Sequence, residues 1–130
     1  MPSLFSRIAA GEIPCHKILE DERHLAFLDI RPIRPGHTLV IPKKEIDYLF
    51  DLDDEALAGL MVFAKKAAGY IRRAVECQRM GIMVAGLEVP HAHIHLVPIV
   101  DVLDLNFSKA KPASPDELSQ TAERIRAHLK

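Results

Sequence analysis

Cysteine is scarce in this chain: Cys15 and Cys77 are the only two among 130 residues. They lie too far apart for a C-x-x-C redox pair and are too few for a secreted disulfide scaffold, so reduced thiols in a cytoplasm are expected. An excess of charge of one sign is lacking as well. Seventeen Lys and Arg face eighteen Asp and Glu, a formal charge of −1, and no sequence-wide field draws the chain to nucleic acid or to an anionic membrane. No stretch approaches the ~18 apolar residues of a membrane span. Met1 to Pro14 carries acidic Glu12 and no apolar run of signal-peptide length, which predicts a soluble, intracellular protein. Repeats, low-complexity tracts and linkers are also missing. At roughly 100 to 200 residues per domain the expectation is a single domain over residues 1–130. A chain of this size typically buries about two thirds of its unfolded surface, so it can hold a core without disulfide or metal.

Ser3-Leu4-Phe5-Ser6-Arg7-Ile8 predicts a short helix capped by Ser3 and stopped by Gly11, before Pro14 forces an extended path. Three short runs rich in apolar or β-branched residues follow: Cys15 to Glu20, Leu25 to Ile30 and His37 to Ile41. Turn chemistry at Asp21-Glu22 and at Arg31-Pro32-Ile33-Arg34-Pro35-Gly36 separates them, so a meander is expected. From Asp53 the period changes. Leu57, Leu60, Met61, Ala64, Ala68 and Ile71 recur at helical spacing behind an Asp53 cap, which predicts the longest helix. Met80 to Ala85 and His91 to Val97 read as two further strands around the loop Gly86 to Pro90. Ser114-Pro115-Asp116-Glu117 then orders a cap, a first-turn proline and a capping-box glutamate. A C-terminal helix follows, with Leu118, Ala122, Ile125 and Leu129 on one face. Segregated strands and helices predict an α+β fold on an antiparallel sheet, with residues 101–130 forming a loop and helix.

What the chain has in abundance is histidine. Seven occur, and three fall in His91-Ala92-His93-Ile94-His95-Leu96-Val97-Pro98. On a strand, side chains alternate, so His91, His93 and His95 share one face and Ala92, Ile94 and Leu96 the other. At ~3.3 Å per residue the three imidazoles line a wall about 13 Å long. A solvated strand face would be served by Thr, Lys or Glu, so two chemical readings compete. Two His at i and i+2 can share a metal ion, with His37 completing the set. Alternatively, a neutral imidazole can attack phosphorus, provided its second nitrogen donates to an acceptor that fixes the tautomer. Neighbouring histidines could then stabilise phosphate oxygens and protonate the leaving group. His16, His24 and His128 fall outside the motif and read as surface residues, and Cys15 and Cys77 as inert thiols.

The segment from His91 to Pro98 resembles the signature of the histidine-triad (HIT) nucleotide hydrolases and transferases, closest to the Hint-like bacterial branch. Ser3 to Ile8, Gly11-Glu12-Ile13-Pro14, Ala26-Phe27-Leu28-Asp29-Ile30 and Pro35-Gly36-His37-Thr38-Leu39-Val40-Ile41-Pro42-Lys43 sit in that family's order and spacing. The resemblance implies a five-stranded antiparallel sheet, one long helix, a short N-terminal and a C-terminal helix, and a homodimer. It implies that His93 is the nucleophile taking the nucleotidyl group from the α-phosphate, and that the His91 backbone carbonyl holds its tautomer. It further implies that His95 contacts phosphate or leaving group, and that His37 extends the network. Asp29 resembles the residue that accepts from both ribose hydroxyls, and Phe5, Ile8, Ile13, Phe27, Ile30 and Leu39 match positions enclosing the base. No cofactor, metal, membrane or nucleic-acid partner is implied.

Two departures stand out. Many bacterial relatives bind structural zinc through an N-terminal C-x-x-C and a histidine after the I-P-K segment. This chain has Ser3, Ser6 and Glu45 there, and hydroxyls are poor zinc ligands. Before the triad, where relatives often carry an Asn and a G-Q-[ST] element, it runs Val84-Ala85-Gly86-Leu87-Glu88-Val89-Pro90. The expected activity is hydrolysis at the α-phosphate of purine nucleoside phosphoramidates through a nucleotidyl-histidine. Dinucleoside polyphosphate hydrolysis is the second expectation, and nucleotide binding with regulatory output and little turnover the third.

Overall fold

The computed structural model describes residues 2–129. The Ser3 hydroxyl accepts from the Ser6 N–H and starts helix α1, Leu4–Ala9, which the chain leaves at Gly11 with φ 82°. Three strands follow as a meander: β1 (Lys17–Glu20), β2 (His24–Leu28) and β3 (Thr38–Pro42). The Asp21 carboxylate makes the first turn by accepting from the Arg23 and His24 N–H groups. In the second, Gly36 has φ 95°, and a Cβ there would come within 3.0 Å of Val75 and 3.1 Å of Pro98. Only glycine meets both demands.

Asp53 accepts from the Ala56 N–H and caps helix α2, Asp54–Ala74, with Asp54 and Glu55 in its first turn and Arg72 and Arg73 in its last, as the helix dipole favours. Strands β4 (Arg79–Met83) and β5 (Ile94–Ile99) return antiparallel, and β5 inserts beside β3. The sheet order is β1-β2-β3-β5-β4, so β1 and β4 are its edges. Two single 3-10 turns, Val102–Asp104 and Phe107–Lys109, precede helix α3, Pro115–Arg126, which Ser114 caps. The α+β architecture follows expectation: a five-stranded antiparallel sheet with one long, one short and one C-terminal helix.

Strand alternation sorts the apolar residues into two cores. Ala26, Leu28, Val40, Ile94 and Leu96 face α2 and α3 and bury Leu60, Phe63, Ala64, Ala67, Ile71, Leu118, Ala122 and Ile125. Leu25, Phe27, Leu39 and Ile41 face the other way and bury Phe5 of α1. The second core is thin, with only the short α1 across it, so that face is where the sheet leaves room for a ligand.

Two strand boundaries differ from the sequence reading in a way that matters. β3 begins at Thr38, not His37, and β5 at Ile94, not His91. The Ala92 N–H goes to the Ile46 carbonyl at 2.6 Å and the His91 ring bonds the Pro42 carbonyl, so His91 to His93 form a bonded entry to β5 and no continuous histidine wall exists. His24 is also no plain surface residue: it bonds Asp21 and stacks on Phe63, ring centroids 5.0 Å apart.

Candidate active site

The rings of His37, His93 and His95 meet on the thin-core face, the His91 backbone joins them through His93, and hydrogen bonds fix which nitrogen of each ring carries the proton. The Ile33 N–H donates to His37 Nδ1 at 3.0 Å. A backbone amide can only donate, so the proton of neutral His37 sits on Nε2, which faces His95 Nδ1 at 2.9 Å and donates to it. His95 is thereby left with its Nε2–H free to point at a substrate. His93 Nδ1 lies 2.7 Å from the His91 carbonyl, which can only accept. In the neutral ring the lone pair of His93 is therefore on Nε2. His91 Nε2 lies 2.7 Å from the Pro42 carbonyl and donates to it, so its Nδ1 is the acceptor for the Ser3 hydroxyl at 2.8 Å.

Burial keeps three of these rings neutral. It pushes the pKa of His37 below the ordinary imidazole value, against the opposing pull of Asp29. It lowers His91 likewise. Burial, with the neighbouring His37 and His93, holds His95 down at about 3. His93 and His95 lie edge to face with centroids 5.0 Å apart.

The apolar residues expected around a base are brought together only in part. Phe5, Phe27 and Leu39 are buried in one cluster with Ile8 packed against it, and the Phe5 ring meets His93 edge-on at 5.0 Å. Ile13 is half-buried and outside that cluster, and Ile30 is 67% exposed next to Asp29. The Asp29 carboxylate accepts from the Arg31 N–H at 2.9 Å and its other oxygen is 3.7 Å from His37 Nε2. On the opposite flank His93 opens into a concavity of about 900 Å³ lined by Tyr48, Phe50, Leu57, Met61, Val84 and Leu87.

Asp29, His37 and His95 are close enough to suggest a metal set. The two ring nitrogens that face each other, however, share one proton in the His37–His95 bond, so no pair of lone pairs converges on an ion. The zinc position that the resemblance suggests, at Ser3, Ser6 and Glu45, fits no better. The Ser3 hydroxyl donates to His91 Nδ1, the Ser6 hydroxyl donates to Glu45 at 2.7 Å, and two committed hydroxyls do not make a tetrahedral zinc site.

Sequence reading missed Phe107, whose ring meets His95 edge-on at 4.8 Å. The side chain of Asn106 accepts from the Ser108 N–H and sets the turn that presents it. An Asx-type cap ahead of an aromatic was the sole local signal, and nothing in it points to a residue twelve positions upstream.

A sequence model of the HIT domain matches residues 10–101. Adenosine 5'-monophosphoramidase hnt1 of Schizosaccharomyces pombe is 32% identical, with all of both chains covered. Among solved structures, a Hit-like protein involved in cell-cycle regulation from Bartonella henselae superposes with TM-score 0.85 at 32% identity, covering 96% of this chain and 94% of that one. A Zn-bound histidine triad family protein from Mycobacterium smegmatis gives TM-score 0.82 at 32% identity, covering 97% and 91%. With the HIT domain matched over most of its length, and with relatives of the same fold over nearly all of it, the chain belongs to the HIT family.

Proposed function

We propose that the protein hydrolyses purine nucleoside phosphoramidates at the α-phosphate, with His93 as a nucleophile that transiently carries the nucleotidyl group. The observation that supports it most is the His93 Nδ1–H bond to the His91 carbonyl at 2.7 Å, which leaves Nε2 unprotonated toward the open face. The name of the fission-yeast relative fits this substrate class.

In the first step His93 Nε2 forms a bond to phosphorus as the P–N bond to the amine breaks. The amine nitrogen keeps that bond's electron pair and takes one proton from solvent, and the His93 ring, still holding its Nδ1–H, carries the positive charge. The His95 Nε2–H donates to a phosphate oxygen or to the departing nitrogen. Water then attacks phosphorus, loses a proton, and returns the bonding pair to His93 Nε2, leaving the nucleoside monophosphate. His37 acts behind His95 by fixing its tautomer. Asp29 accepts from the ribose hydroxyls. Phe5, Ile8, Phe27 and Leu39 form one wall of the base site, and Ile13 and exposed Ile30 close its rim on binding. No metal takes part, and a chelator should leave turnover unchanged.

The working form is a homodimer. β4 is an edge strand whose outer side is unpaired among the described residues, exposed Met61 of α2 lines the same concavity as exposed Val84, and Val62 and Ile82 are exposed as well. A second copy would cover both the strand edge and this apolar surface.

Incubation with an adenosine phosphoramidate, followed by intact-protein mass measurement and nucleotide analysis, tests the reading. A transient mass increase of one adenylyl group, present in the wild type and absent in His93→Ala, is expected together with AMP release. Nucleotide binding without any AMP formation would instead leave a regulatory module.

A further inference from the structure

His91 is fully buried and holds no substrate, yet its backbone carbonyl fixes the nucleophile. What fixes His91 is a polar knot drawn from three distant parts of the chain. Glu45, just after β3, accepts from the Ser3 N–H and from the Ser6 hydroxyl through the same carboxylate oxygen. The Ser3 hydroxyl accepts from the Ser6 N–H and donates its one proton to His91 Nδ1, with Ser6 Oγ also within 3.2 Å of that nitrogen. The ring's other nitrogen donates to Pro42, and the Ala92 N–H next to it donates to Ile46. Both ring nitrogens of His91 are thereby matched, Nδ1 accepting from Ser3 and Nε2 donating to Pro42. These bonds to the two serines draw the Glu45 carboxyl down to about 2, so its charge persists at any working pH. The same helix α1 carries Phe5 against both His91 and His93.

We propose that Ser3, Ser6 and Glu45 are positioning residues for the nucleophile: they lock His91 in its Nε2–H tautomer and pin α1 across it, which keeps the His91 carbonyl aimed at His93 Nδ1. The knot thus supplies with hydrogen bonds the rigidity the reactive ring needs. It acts through two intermediaries, the His91 ring and the His91 peptide, and touches no substrate. The role rests on the reading of His93 as nucleophile.

The test uses the full chain labelled with ¹⁵N-histidine, in wild type and in Ser3→Ala, Ser6→Ala, Glu45→Ala and Glu45→Gln. Imidazole ¹⁵N shifts report each ring's tautomer, and single-turnover nucleotidylation and AMP affinity report function. In the wild type, His91 should show a protonated Nε2 and an acceptor Nδ1. Ser3→Ala and Glu45→Ala should mix the two tautomers of His91 and disturb the His93 Nδ1–H signal. Nucleotidylation should slow by about 10- to 100-fold, as small misplacements of a reacting group do, while AMP affinity changes by less than about threefold. Glu45→Gln, which still offers an amide oxygen to both donors, should recover most of the rate. Ser6→Ala keeps the helix cap and covers the case in which Ser3→Ala unfolds α1. Unchanged ¹⁵N patterns in Glu45→Ala and Ser6→Ala, or an unchanged nucleotidylation rate, would overturn the lock. A wild type that never becomes nucleotidylated would overturn the nucleophile reading and with it this role, whatever the tautomers show.

Discussion

His95 and Asp29 carry the sharpest expectations for single side chains. His95 accepts a hydrogen bond from His37 at one nitrogen and has its pKa held at about 3, so it meets a ligand as a neutral donor. In the free protein its ring signals should show no titration between pH 8 and 5, and an inflection near 6.5 in an NMR titration would break the proposed chain of donors from Ile33. Truncation, His95→Ala, removes one contact to developing charge and should slow turnover by roughly 10²- to 10³-fold. Asp29 should make the site select ribose. A carboxylate partly enclosed by Arg31 and His37 loses one of its two ribose hydrogen bonds when 2'-deoxyribose replaces the diol. Binding of AMP should exceed that of deoxy-AMP by about tenfold or more, on the ~1.5–3 kcal/mol of hydrogen bonds to a charged group. Asp29→Ala should abolish the difference. Calorimetric titration of both ligands against both proteins settles it, and equal affinities in the wild type would remove Asp29 from ribose recognition.

Among the secondary-structure elements, β4 and α2 make the claim that reaches beyond one chain. Ile82 is 47% and Val62 61% exposed, on a strand edge and a helix that a second copy would cover. A charge placed there should weaken association without touching the triad, so Ile82→Asp or Val62→Asp should convert a dimer at micromolar concentration to a monomer in sedimentation velocity. A wild type that sediments as a monomer would refute the dimer and leave the chemistry standing. The same elements show why some features were readable from sequence and others were not. α2 was, because its apolar spacing and Asp53 cap are local and agree. The meander of β1 to β3 was, because turn residues stand between its apolar runs. The start of β5 was not, since His91 and His93 alternate as a strand would, but the His91 and Ala92 N–H groups go to Val89 and Ile46 and the His91 carbonyl to the His93 ring instead of to the ladder. Ser3, Ser6 and Glu45 read only as an absence of zinc ligands. Their convergence on His91 spans some 40 to 90 positions of sequence, which no periodicity encodes.

The molecule as a whole keeps three buried imidazoles neutral, and this sets its response to acid. His37, His91 and His95 all have pKa values pushed down by burial. In the unfolded chain each returns to about 6.5. Below that pH the unfolded state takes up protons that the native state refuses, so the stability these rings contribute is fully present above about pH 6.5 and drains away as the pH falls toward the native values, about 3 for His95. Each such histidine steepens the loss by up to about 1.4 kcal/mol per pH unit, and two or three acting together are large against a total of ~5–15 kcal/mol. Carboxylates with lowered pKa, Glu20, Asp21, Glu45 and Asp104, lose their contributions only nearer pH 4, where unfolded carboxylates begin to protonate. The interval from pH 6.5 to 5 therefore reports mainly the histidines. Urea unfolding across it should show the stability falling steadily with pH, and His95→Asn, which keeps a polar side chain but cannot titrate, should have lower stability at pH 7.5 and a slope shallower by about one histidine's share. A stability that stays level from pH 7.5 to 5 would mean that the native rings accept protons as readily as free imidazole does. The fixed tautomers on which the proposed attack by His93 depends would then not exist in solution.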